Sequence, residues 1–155
     1  MKLTALGLLV LFAAAIVSAQ QRTADTVTDI SAISVERRPW FPEPLKNTLT
    51  LRRQGNSTYV GKLVPWKGRY TATVGASGFD RLEKGISDVR FFDLPDVIGP
   101  IIIDGEQVIV TVTTAQKSKT VTTYNLAKAP IAALVALADS VADQLPWVQV
   151  AEAQQ

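Results

Sequence analysis

From residue 45 onward the spacing of apolar side chains passes through four regimes, and each marks a set of elements. Leu45, Asn47, Leu49 and Leu51 share one side of a two-residue period, with Lys46, Thr48, Thr50 and Arg52 on the other, which predicts a half-buried strand. Gln54-Gly55-Asn56-Ser57 interrupts it. The period then resumes over residues 58–64, with Tyr59, Gly61 and Leu63 together, so the two runs form a hairpin. After Pro65-Trp66-Lys67-Gly68, residues 69–74 align Tyr70, Ala72 and Val74, which completes a three-stranded antiparallel meander.

The second regime is helical. Phe79, Leu82, Ile86 and Val89 fall on one face, Ser77 and Asp80 have capping-box spacing, and Gly85 weakens the helix toward an end near Ser87. Phe91, Phe92 and Leu94 are expected to enter the core before Pro95 turns the chain. Residues 96–107 hold turns at Gly99-Pro100 and Asp104-Gly105 around Ile101-Ile102-Ile103, which reads as a brief strand or a loop. The third regime restores alternation. Val108, Val110 and Val112 mark one strand, residues 115–118 reverse the chain, and residues 120–124 supply another β-branched segment.

The last regime begins at Pro130, suited to a first helical position. Ile131, Leu134, Val135, Ala138, Val141, Ala142 and Leu145 follow at helical intervals until Pro146. This helix is apolar enough to need tertiary cover, and Trp147 and Val148 are expected to cap one edge of the core. The pattern predicts an α+β fold in the order β-β-β-α-β-β-α, with an antiparallel sheet of about five short strands packed by two helices. The single α+β domain spans residues 45–148, and residues 149–155 are a disordered tail.

Ahead of the domain the pattern is different. Lys2, the apolar run 3–17 and the small residues Val17-Ser18-Ala19 match a signal peptide cleaved after Ala19. About 15 apolar residues rise only ~22 Å, short of a ~30 Å hydrocarbon core. Residues 20–44 are polar at first and then carry Pro39, Pro42 and Pro44, which makes them a flexible or extended arm. Within the arm a β-like window, residues 30–35, is expected at most as a short edge strand. The chain is thus read as secreted or periplasmic, without stable membrane insertion after cleavage. The absence of cysteine excludes disulfides and a lipid-modified cysteine. Loss of Lys2 lowers the formal charge from +2 to +1, and no basic cluster forms, so no nucleic-acid partner is expected.

Composition also restricts the chemistry. With neither histidine nor cysteine, imidazole bases, thiol nucleophiles and zinc sites of the common kinds are excluded. Asp93, Asp96, Asp104 and Glu106 are the carboxylates on which a small hydrolase would depend, but each fits a turn. Ser77 lacks both nucleophile-elbow spacing and a histidine partner, so it reads as a helix cap. No catalytic, cofactor or metal residue is assigned. The candidate partner-binding residues are Trp66, Lys67, Arg69 and Tyr70, where two aromatic side chains interleave with two cations.

Residues 48–145 resemble a bacterial family of unknown function, DUF6438. The resemblance is carried by the Thr/Leu-rich strand, Tyr59-Val60-Gly61, the turn at Gly68, a helix followed by Phe91-Phe92-Asp93-Leu94-Pro95, a Thr-rich hairpin and a closing helix. It implies a small exported or envelope-associated protein and supplies no catalytic set. The expectation is a noncatalytic exported protein that binds another protein or an envelope component. The alternatives are a carboxylate-dependent hydrolase and an assembly protein that uses strand-edge contacts.

Overall fold

A computed structural model describes residues 29–39, 46–61, 67–102 and 105–150. The expected signal peptide, residues 20–28 and 40–44 of the expected arm, Trp66, Asp104 and residues 151–155 lie outside the described residues.

Among the described residues eight strands and two α-helices follow one another. They are β1 (Ile30–Arg38), β2 (Asn47–Arg52), β3 (Ser57–Gly61), β4 (Gly68–Ala72), α1 (Ala76–Asp88), β5 (Val97–Ile98), β6 (Gln107–Thr114), β7 (Ser118–Thr123), α2 (Ala132–Asp143) and β8 (Val148–Val150). The strands form one sheet in the order β5-β7-β6-β1-β2-β3-β4-β8, antiparallel except where β5 joins β7. The β2-β3-β4 meander, the β6-β7 hairpin and both helices match the spacing rules.

Three expectations are corrected. Among the described residues the sheet has eight strands rather than about five. The window at residues 30–35 is not an edge strand in a preceding arm: β1 lies inside the sheet and pairs with β2 and β6 on either side. Residues 149 and 150 are not part of a loose tail, because β8 closes the sheet beside β4. In the 96–107 segment the strand forms at Val97–Ile98. The Thr122 amide donates to the Asp96 carbonyl at 2.8 Å, and the Thr123 hydroxyl donates to the Ile98 carbonyl at 3.2 Å.

Alternation sorts the sheet into two faces. One register line on the helix-covered face runs Val121, Val110, Val35, Leu49, Tyr59 and Tyr70. Ile33, Leu51, Val108 and Val112 join it, and Phe79, Leu82, Ile86, Leu134, Val135, Ala138 and Val141 close the core from α1 and α2. A parallel line on the open face runs Thr120, Thr111, Ser34, Thr50, Thr58 and Thr71, one hydroxyl on each of six strands. Hydroxyl contacts of 3.0 Å (Thr111 with Thr120) and 3.2 Å (Ser34 with Thr50) knit neighbouring strands together.

Strand alternation also splits the two adjacent arginine pairs, Arg37-Arg38 and Arg52-Arg53. Arg38 and Arg52 take the open side. Arg37 pairs with Asp139 of α2 at 2.6 Å. Arg53 pairs with Asp80 and Glu83 of α1, donates to the Ile30 carbonyl at 3.2 Å and lies 4.8 Å from the centre of the Phe79 ring. Each helix is therefore tied to the sheet by one arginine.

The capping role expected of Ser77 is also corrected. Extended Gly75 is the N-cap of α1, no side chain caps the helix, and Ser77 is its second residue. Gly85 is needed for helix contact, because a Cβ there would come within 2.8 Å of Leu137 and 3.4 Å of Leu134 on α2.

On the open face, Glu36 receives Lys46 at 2.9 Å and also pairs with Arg38. Burial alone would raise its pKa, but the hydrogen bonds from Lys46 and Arg38 outweigh it and hold the carboxyl below the ordinary 4.5. A depressed carboxyl pKa contributes stability above the unfolded value and loses it as pH falls through the folded one. The stability gap between wild type and Glu36→Gln, measured by urea titration, should be at most about 1 kcal/mol above pH ~5 and should shrink as pH falls through the lowered folded-state value. A gap that widens on acidification would refute this account.

Candidate functional site

The structure separates the residues that the sequence grouped into a binding patch. Arg69 and Tyr70 are adjacent in β4, so their side chains leave opposite faces of the sheet. Arg69 is exposed, opposite Val60 on the open face. Tyr70 is buried, with its hydroxyl donating to the Lys67 carbonyl at 3.2 Å. Lys67 is exposed, and Trp66 lies outside the described residues. Among the described residues, then, Lys67, Arg69 and Tyr70 do not make one surface.

The expected carboxylates separate as well. Asp93 pairs with Arg90 at 2.7 Å, and Asp96 pairs with Lys119 at 2.7 Å. Glu106 is exposed. No group of three or more carboxylates placed to hold a metal ion occurs among the described residues. No helix among them is long and apolar enough to cross a membrane.

A cleft of about 460 Å³ opens instead on the helix-covered side, where α2 ends over β1, β2 and β3. Its walls follow from register and helical spacing. Arg37 lies opposite Asn47, and Leu49 lies opposite Tyr59, so adjacent strands deliver a polar pair and an apolar-aromatic pair. Asp139 and Asp143, one helical turn apart at the end of α2, face the same space with Ala142. The chain then turns back. The Leu145 amide donates to the Ala142 carbonyl at 3.0 Å, and the Trp147 indole N–H donates to that carbonyl at 2.9 Å. This seats the Trp147 ring edge-on to Tyr59 at 6.4 Å, and Tyr70 backs Tyr59 at 6.3 Å.

The polar groups are unevenly matched. Arg37, whose side chain is 20% exposed, is held by Asp139. Asp143 is exposed at the cleft and makes no ion pair or side-chain hydrogen bond among the described residues. Burial is the main cause that raises the Tyr59 hydroxyl above its ordinary 10.0, with Arg37 opposing and Tyr70 and Asp139 adding. The phenol is therefore neutral at neutral pH. Together the walls make a concave, largely apolar site with a few convergent polar groups, within the size range of pockets for small organic groups.

Sequence reasoning placed Tyr59 and Trp147 correctly as core-side residues but did not join them. It singled out neither Asp139 and Asp143 nor Arg37 as site residues. The available signal was the unusual placing of two acids in the last turns of a helix, where the backbone dipole disfavours them.

The profile of the family described as Domain of unknown function (DUF6438) matches residues 31–145. The match begins inside β1, ahead of the resemblance read from residue 48, so the matched region includes the interior strand. No curated protein shows significant similarity to the chain.

Proposed function

The chain belongs to the DUF6438 family, and from that footing we propose that it is a noncatalytic exported protein whose cleft binds a group presented by another protein or by an envelope component. The observation that carries this reading is the pairing of two aromatic rings with Leu49 and Leu145 around a cleft of about 460 Å³, flanked by a polar rim. Such walls favour desolvation of an apolar group, and the rim sets its orientation. α2 packs on the sheet, and the indole bond to the Ala142 carbonyl holds Trp147 against the end of that helix.

The test uses ¹⁵N-labelled residues 20–155 titrated with indole as an apolar probe. Saturable shifts are expected for Tyr59, Asn47 and the Trp147 indole N–H, and Asn47→Trp, which fills the mouth, should remove them. Absence of saturable shifts at those residues in the folded wild-type protein would rule out the cleft as a binding site.

A second reading, assembly through strand addition, is supported at β8. This edge strand carries Val148 at 65% and Val150 at 39% exposure. Sedimentation of the same sample distinguishes it: strand addition requires a concentration-dependent oligomer, and the cleft does not.

A further inference from the structure

We infer that the cleft selects an organic ammonium ion on an apolar stem, an inference that rests on the cleft being the binding site. Four observations converge on this. First, Asp143 brings to the cleft a negative charge that no ion pair answers among the described residues, since Arg37 is already held by Asp139 at 2.6 Å. Second, Asp143 is the last residue of α2, which has no basic residue in its last turn, so the helix dipole and this carboxylate have the same sign there. Third, the Tyr59 and Trp147 rings line the same cleft as these acids, and an aromatic face close to a carboxylate attracts a partly desolvated cation. Fourth, Leu49 and Leu145 give the stem an apolar wall.

An anion fits less well. Arg37 would have to give up Asp139, and the anion would then face two carboxylates and the negative end of a helix. A neutral apolar group would fill the walls but leave Asp143 unused. The same acid is unfavourable to the helix that carries it, so helix stability does not account for its presence.

The experiment titrates ¹⁵N-labelled residues 20–155 at low ionic strength with n-hexylammonium, 1-hexanol and hexanoate, reading the Tyr59 and Trp147 signals. n-Hexylammonium should bind about 10-fold more tightly than 1-hexanol, and hexanoate most weakly. Asp143→Asn should remove most of that preference while keeping 1-hexanol affinity within about two-fold. It should also raise the melting temperature by about 1–2 °C, as neutralising an acid at a helix C-terminus predicts. N-acetyl-lysine methylamide separates two sources of the ammonium. Competition with n-hexylammonium assigns it to a polypeptide side chain, and lack of competition assigns it to a free amine. Equal binding of n-hexylammonium and 1-hexanol, or an unchanged preference in Asp143→Asn, would overturn the charge inference and leave the cleft standing. If none of the three probes binds, the cleft reading falls with it.

Discussion

A chain beginning at residue 45 is expected to stay unfolded, whereas residues 20–155 fold cooperatively. The truncation removes β1, which pairs with β2 from Ala32 to Arg37 and with β6 from Ile30 to Arg38. Without it the sheet order leaves β5-β7-β6 and β2-β3-β4-β8 with no ladder between them. Ile30, Ile33 and Val35 are each no more than 1% exposed, and burying an aliphatic side chain of this size contributes about 1.5–3 kcal/mol. Their combined loss is comparable to the roughly 5–15 kcal/mol that separates a typical folded domain from its unfolded state, before any lost backbone pairing is counted. Far-UV circular dichroism and amide dispersion in a ¹H–¹⁵N spectrum provide the measurement. A dispersed spectrum and a cooperative melt from residues 45–155 would show that β1 is dispensable.

Phe91→Ala should lower stability by about 3–5 kcal/mol in urea titration, among the largest effects of any single truncation. Phe91 is fully buried and meets Phe92 edge-on at 6.0 Å, at the point where the chain leaves α1 for the far edge of the sheet. Arg90, just before it, holds a left-handed conformation with φ 49°, which is unfavourable by roughly 1–2 kcal/mol for a residue with a Cβ. Burial of Phe91 offsets this local cost by drawing the chain inward. Phe92 is half-buried, and its ring lies 4.7 Å from the Lys117 ammonium near the surface, so Phe92→Ala should be clearly milder. Equal losses from the two variants would contradict the assignment of Phe91 as the anchor.

Where spacing was regular, the sequence was a sufficient guide. Val108, Val110 and Val112 are buried in alternation, as are Tyr70, Ala72 and Val74, and Phe79, Leu82 and Ile86 line the buried face of α1. Reading failed where the local signal was short or in conflict. Residues 30–35 sit between a polar stretch and three prolines, so the chain around β1 resembles an arm even though Ile33 and Val35 alternate correctly with Ser34 and Glu36. Val148–Val150 follows a proline and has only three residues, too few for periodicity to register. The aromatic-cation stretch failed for a simpler reason. Adjacent residues in a strand point to opposite sides, so Arg69 and Tyr70 share sequence but not surface.

Taken alone, the amino-acid order determined which side chains face the interior, because the two-residue and 3.6-residue periods are properties of the backbone next to each side chain. It also excluded imidazole and thiol chemistry outright. Which elements became neighbours was decided only in the folded chain, since the contacts that matter join distant residues. The Ser31 hydroxyl meets the Thr113 carbonyl across 82 positions, and Arg37 meets Asp139 across 102. No local pattern encodes such a pairing; it is selected by the shared burial of whole faces. The cleft between Tyr59, Trp147 and the end of α2 is a product of that selection.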